Sequence, residues 1–202
     1  MTRSRARPPR AAASEAAPAR KVSIRVLHRR LRVNRRGLLK ALAALDQQFF
    51  HTASDLPELT PSARKRARAP GVESLKSGIV RPCPALPSGE LSLAFLTDAA
   101  LADLHGRFLN DFSTTDVITF EGHAEMGTAG EICVSVDTAA RYSSDRQTDF
   151  SRELLLYVVH GWLHLAGYDD LRPDRKRRMR AAEKRALALI NAADIPRMFR
   201  LA

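Results

Sequence analysis

Apolar positions recur along this chain with two periods, and the switches between them mark out its elements. Val22, Ile24 and Val26 alternate with Ser23 and Arg25, the period of two that a half-buried strand needs. Leu38, Leu42 and Leu45 then fall three and four apart, which predicts a helix over 37–45 with Asn34 as its N-cap. Leu91, Leu93 and Phe95 return to period two, and Asp98 is expected to cap a helix running to about 108. Residues 116–120 and 130–136 read as two more strands, the second followed by a helix over roughly 137–145. Asp149 or Ser151 is expected to cap a strongly apolar helix that ends near Ala166, with Gly167 as its stop. After a turn at Pro173, residues 174–191 form a basic amphipathic pattern carrying Met179, Leu187 and Ile190. Strands interleaved with helices indicate an α+β fold of mixed α/β layers, a small and mostly parallel sheet packed by helices.

Two stretches carry no such period. Residues 1–20 are rich in Arg, Ala and Pro and are expected to be a disordered basic arm. They lack the apolar segment of a secretory signal. An Arg-rich, acid-poor start echoes an organellar transit peptide, but Pro8, Pro9 and Pro18 oppose the amphipathic helix of such peptides. From about 51 to 90, six prolines and the cluster Arg64-Lys65-Arg66-Arg68 mark a long basic insertion, with room for a short helix over 61–69. The remainder, 21–195, reads as a single domain.

Composition changes the picture only when it is mapped. The 202 residues carry 33 Lys+Arg against 22 Asp+Glu, a net charge of +11. Residues 21–50 hold 8 basic and 1 acidic side chain and residues 151–202 hold 11 and 6, whereas 91–150 hold 3 and 10. The basic character belongs to the ends and the middle is acidic, which excludes a uniformly basic coat and favours an anionic partner for particular surfaces. No apolar run reaches the roughly 20 residues of a membrane span. Cys83 and Cys133 cannot build a disulfide framework and fit a reducing compartment.

The candidate chemistry lies in the apolar helix. His160 and His164 stand one turn apart on one face, so their ring nitrogens can converge on one metal ion. Gly167 turns the chain, and Asp169 and Asp170 follow closely enough for a carboxylate to fold back towards the pair. Two imidazoles and a carboxylate leave a coordination position open, the pattern of a catalytic metal site. The competing reading is a pair of core histidines with ordinary hydrogen-bond partners, and spacing alone does not separate the two. A zinc peptidase of the H-E-x-x-H type needs Glu where this chain has Gly161.

The segment His160-Gly161-Trp162-Leu163-His164-Leu165-Ala166-Gly167-Tyr168-Asp169 closely resembles the H-G-x-L-H-L-x-G-Y-D-H signature of the YbeY family of single-strand-specific endoribonucleases and rRNA maturation factors. Thr115-Asp116-Val117-Ile118-Thr119-Phe120 is similar to that family's T-D-V-L-S-F segment, and 130–135 resembles its G-D-I-x-I-S strand. Met179 and Glu183 fall where the family carries similar residues. The likeness covers about 91–190 well and 22–50 loosely, and leaves out 1–20 and 51–90. It implies one zinc ion per chain held by His160, His164 and the residue at the signature's last position, here Asp170 where the family has His, with Asp169 or a water as the alternative third ligand. A carboxylate there cancels one charge of the ion and shifts preference towards harder divalent metals. A second departure is Leu109, which stands where the family has an Arg assigned to RNA binding or catalysis; His105 holds the family's Asn position.

The implied partner is RNA, in rRNA or ribosomal particles, in the bacterial cytoplasm and without a membrane. Arg172, Arg175, Lys176, Arg177, Arg178 and Arg180 crowd the start of the last helix with Asp174 as the only acid among them, and are expected to face RNA phosphates; a solvated helix face is the bland alternative. Arg29, Arg30, Arg32, Arg35 and Arg36 can extend that surface. Trp162 is expected in the core, Asp169 is a candidate to orient the turn, and Asp116 and Glu131 are base candidates if the fold brings them near. Two other readings stay open. One is a non-catalytic RNA-binding ribosome-assembly factor with a structural metal, motivated by Leu109 and Asp170. The other is a non-haem iron site built on two His and a carboxylate.

Overall fold

A computed structural model describes residues 20–50, 86–110 and 112–202. The arm over 1–19, the possible helix over 61–69 and most of the basic insertion lie outside the described residues. Strand β1 (Val22–Val26) leads through a turn into β2 (Leu31–Val33) and helix α1 (Arg35–Gln48). Strand β3 (Glu90–Leu96), helix α2 (Asp98–Leu109), β4 (Val117–Glu121), β5 (Thr128–Ser135) and α3 (Val136–Asp145) follow. Helices α4 (Phe150–Leu165) and α5 (Pro173–Ala192) precede a last strand, β6 (Phe199–Leu201).

Four strands form a sheet in the order β1-β3-β5-β4, with β1, β3 and β5 parallel and β4 antiparallel to β5. This is the mixed, mostly parallel sheet that the alternating pattern implied. The central strand shows why it is buried on both faces. Leu91, Leu93 and Phe95 join the main core with α1, α4 and α5, while Ala94 and Leu96 join a smaller cluster with Leu101, Ile118 and Cys133 on the α2 side. Each fully buried Leu or Phe contributes about 1.5–3 kcal/mol relative to exposure.

Helix α4 crosses the main-core face, and Gly161 sets how closely. A Cβ on Gly161 would lie 2.5 Å from the Ile132 side chain and 3.1 Å from Val117, so only glycine lets the helix rest on β4 and β5 at this point. Trp162 is fully buried, as expected, and its indole N–H donates to Asp46 at 3.3 Å; the Asp46 carboxylate is also paired with Arg20 at 2.8 Å. That pairing satisfies an indole that would otherwise be buried without a partner.

Several boundaries differ from expectation for identifiable reasons. The α2 cap is Thr97, whose hydroxyl accepts from the Ala100 amide; the Asp98 carboxylate is engaged instead by Ser135, Thr138 and Arg141 from the next strand–helix turn. Of the two candidate caps for α4, Asp149 takes the role, accepting from the Arg152 amide, and Ser151 accepts from the Phe199 amide. Strands β2 and β6 were not foreseen. They pair antiparallel through Leu31–Leu201, Arg32–Arg200 and Val33–Phe199, so the fold runs past residue 195. Regular structure resumes at Glu90, at the expected end of the insertion, and Leu86 just before it is already buried.

Candidate metal centre

Helix α4 ends in a Schellman turn that builds the site. The Gly167 amide donates to His164 O at 2.9 Å and the Tyr168 amide to Leu163 O at 3.0 Å, with Gly167 at φ +97°. A Cβ is strained at that φ, so the glycine is what allows the chain to double back. The reversal delivers two groups. The Tyr168 carbonyl accepts from His164 Nδ1 at 3.2 Å, and Asp170 comes to face both imidazoles.

The second histidine is oriented from another helix. Glu183 of α5 accepts from His160 Nδ1 at 2.7 Å. Because carboxylate and carbonyl oxygens only accept, both Nδ1 atoms carry protons, and both Nε2 lone pairs turn towards each other across 3.0 Å. Two facing lone pairs repel unless a proton or a cation lies between them. Asp170 Oδ2 stands 4.0 Å from His160 Nε2, and Asp170 Oδ1 stands 3.8 Å from His164 Nε2. One ligand atom from each of the three residues falls within a mutual 4.8 Å. The donor set suits one divalent ion, and a small inward movement of Asp170 would bring all three atoms to bond lengths of about 2.0–2.2 Å.

The electrostatics treat the two rings differently. Burial disfavours charge on His160, but the hydrogen bond and charge of Glu183, helped by Asp116 and Asp170, outweigh it and raise its pKa. Burial lowers that of His164, and the neighbouring His160 adds to the effect against the pull of Asp170.

A cleft of about 310 Å³ opens beside the histidines, walled by His105 of α2 and by Thr115 to Thr119 at the start of β4. Asp116 is in that wall; its carboxylate accepts from the Val117 amide at 3.0 Å. Glu131 lies on β5 and does not line the cleft. Asp169 stays out of the trio: it accepts from the Leu171 amide at 2.8 Å and pairs with Arg175, and these contacts hold its carboxyl below the usual range although burial opposes them. Arg175 thus braces the turn. Arg172 is paired loosely with Asp174 at 3.7 Å, whereas Lys176, Arg177, Arg178 and Arg180 are exposed and meet no carboxylate among the described residues.

Sequence reasoning did not assign Glu183 its contact or foresee the Tyr168 carbonyl. One signal existed. Glu183 sits four residues after Met179, beside Ala182 and Ala186, and so places an acid on the core-facing stripe of α5.

A sequence model of the family "Endoribonuclease YbeY" matches residues 72–191. The match begins inside the segment read as an insertion, so 72–90 belong to the matched region. Curated proteins named endoribonuclease YbeY are similar to this chain. That of Chlamydia abortus is 36% identical over 116 residues, 54% of this chain and 73% of the relative. Those of Chlamydia pneumoniae, 37% identical over 111 residues (51% and 70%), and Phocaeicola vulgatus, 33% over 103 (51% and 75%), are comparable. A solution structure from Thermotoga maritima aligns with 86% of this chain and 95% of its own at 18% identity and a TM-score of 0.48. By the family match and the curated relatives, the chain belongs to the endoribonuclease YbeY family.

Proposed function

We propose that this protein is a metal-dependent endoribonuclease that cuts single-stranded RNA during rRNA maturation, with one divalent ion held by His160, His164 and Asp170. The observation that carries this reading is the pair of Nε2 atoms aimed at each other across 3.0 Å with a carboxylate facing both. When bound, a zinc or harder divalent ion would polarise a phosphoryl oxygen or lower the pKa of a water to about 7. Glu183 and the Tyr168 carbonyl fix the ring tautomers that present Nε2. In this reading Asp116, in the cleft wall, takes a proton from the attacking hydroxyl or water. Lys176, Arg177, Arg178 and Arg180, with Arg172, supply phosphate contacts along α5. A cytoplasmic location belongs to the same reading. Among the described residues no helix is long and apolar enough to cross a membrane.

The test is cleavage of end-labelled single-stranded RNA by the wild type, by His160→Ala and by EDTA-treated protein before and after metal is restored. Activity is expected to fall at least about 100-fold in the variant and the treated sample, and to return with metal only in the latter. Equal cleavage in all samples overturns the metal's role. Salt-sensitive RNA binding without turnover would favour the assembly-factor reading, which Leu109 in the family's Arg position supports.

A further inference from the structure

The β2–β6 ribbon carries a second cationic surface that the metal centre does not use. Its inner face is apolar, with Leu31 and Phe199 buried. Its outer face places Arg32 directly opposite Arg200, both exposed. Arg29 and Arg30, in the turn that leads into β2, are also exposed. Like charges directly opposed across two strands destabilise a ribbon. Among the described residues, none of the four guanidinium groups forms an ion pair with an Asp or Glu side chain. Arg30 donates to an oxygen of Ala202 at 2.9 Å and Arg32 to the Arg29 carbonyl at 3.1 Å, contacts that fix the direction of both side chains.

Position matters as much as charge. The Phe199 amide is tied to Ser151 in the first turn of α4, nine residues before His160. At 1.5 Å per residue the ribbon's anchor point lies about 13 Å from His160 and about 20 Å from His164 along the helix axis. Arg172 and Lys176 lie towards the opposite end, beyond the Schellman turn. Along the α4 axis the metal trio therefore lies between the ribbon's anchor point and the start of α5.

From this arrangement we infer that the β2–β6 ribbon is a remote phosphate-binding surface that holds the RNA backbone flanking the single strand in the cleft. The inference rests on the reading that this chain acts on RNA. Four arginines and no lysine suit phosphate, which a guanidinium can grip through two parallel hydrogen bonds.

The test compares wild type, Arg32→Gln/Arg200→Gln and Arg32→Lys/Arg200→Lys, without removal of any bound metal. The probe is a 2′-O-methylated RNA hairpin with a single-stranded tail, which cannot be cut through its 2′ positions. The glutamine pair is expected to weaken binding about tenfold near physiological salt and to flatten the logarithmic salt slope by about 1.4, two contacts at about 0.7 each. The lysine pair is expected to keep the slope. The unfolding temperature of the glutamine pair is expected to stay level or rise, because a repulsion has been removed. That combination, steadier but weaker in RNA binding, separates a contact surface from a folding defect. An unchanged slope and affinity in the glutamine pair would overturn the ribbon's role while leaving the proposed function standing. A wild type without salt-sensitive RNA binding would overturn both, and preference for anionic vesicles or acidic peptides over RNA would overturn the choice of partner.

Discussion

Two aspartate clusters in this molecule look alike in composition and differ in what they leave unpaired. Asp98 follows β3 and receives Ser135, Thr138 at 2.6 Å and Arg141 at 2.9 Å. Asp170 follows α4 and faces two imidazole nitrogens at 3.8 and 4.0 Å, beyond hydrogen-bond length. At Asp98 both carboxylate oxygens accept from donors the chain supplies, two on Oδ1 and one on Oδ2. At Asp170 the chain supplies two lone pairs and a carboxylate, all acceptors, around one gap. A cluster that satisfies itself ties elements together, and one made only of acceptors asks for a cation. The same test sets Asp169, tied to Arg175 and the Leu171 amide, apart from its neighbour Asp170.

Substitutions can break that contrast. Asp170→Asn should abolish tight metal binding and lower RNA cleavage about 100-fold or more, while leaving the unfolding temperature of metal-free protein level or higher. Loss of stability instead would make Asp170 structural. Glu183→Gln comes next. It keeps an oxygen beside His160 but removes the charge, and metal affinity should fall about 10-fold or more, read by competition with a chelating dye. Affinity equal to wild type would show that the charge of Glu183 does not matter to the site.

Gly161→Ala probes the packing beneath the site. The added methyl would meet Ile132, so a loss of about 1–3 kcal/mol in urea unfolding is expected, as for overpacked cores. A neutral result would mean that α4 can lift off β5 without cost. Asp98→Asn is the smallest change, about 1–2 kcal/mol at neutral pH. Burial pushes the Asp98 carboxyl up, but the bonds from Ser135, Thr138 and Arg141 outweigh it and hold the group below its ordinary value. A depressed folded pKa gives stability that is fully present above the unfolded value near 3.9 and is lost as pH falls through the folded value. Wild type and Asp98→Asn should therefore converge in acid, and a gap that persists there would contradict the assignment.

The legible parts of the molecule are those written locally. Helix α4, its Asp149 cap, the His160/His164 spacing and the Gly167 stop all lie within 19 consecutive residues, and each carries its own signal. What could not be read depends on distant partners. Strands β2 and β6 are three residues each and 165 residues apart, so neither has a detectable period before the other pairs with it. Asp98 looked like a cap because its competing donors come from 37 to 43 residues away. Glu183 is 23 residues from His160, and only the packing of α5 on α4 brings them together. The fold class followed from periodicity, whereas the site's orientation depends on that helix–helix contact.

The central claim is that His160, His164 and Asp170 form one cation site. Calorimetric titration of chelator-stripped protein with zinc tests it most directly, run beside His164→Ala. The account predicts one ion per wild-type chain, with protons released as it binds, and no comparable binding in the variant. A wild type that takes up no ion, or a variant that binds as tightly as the wild type, would contradict it.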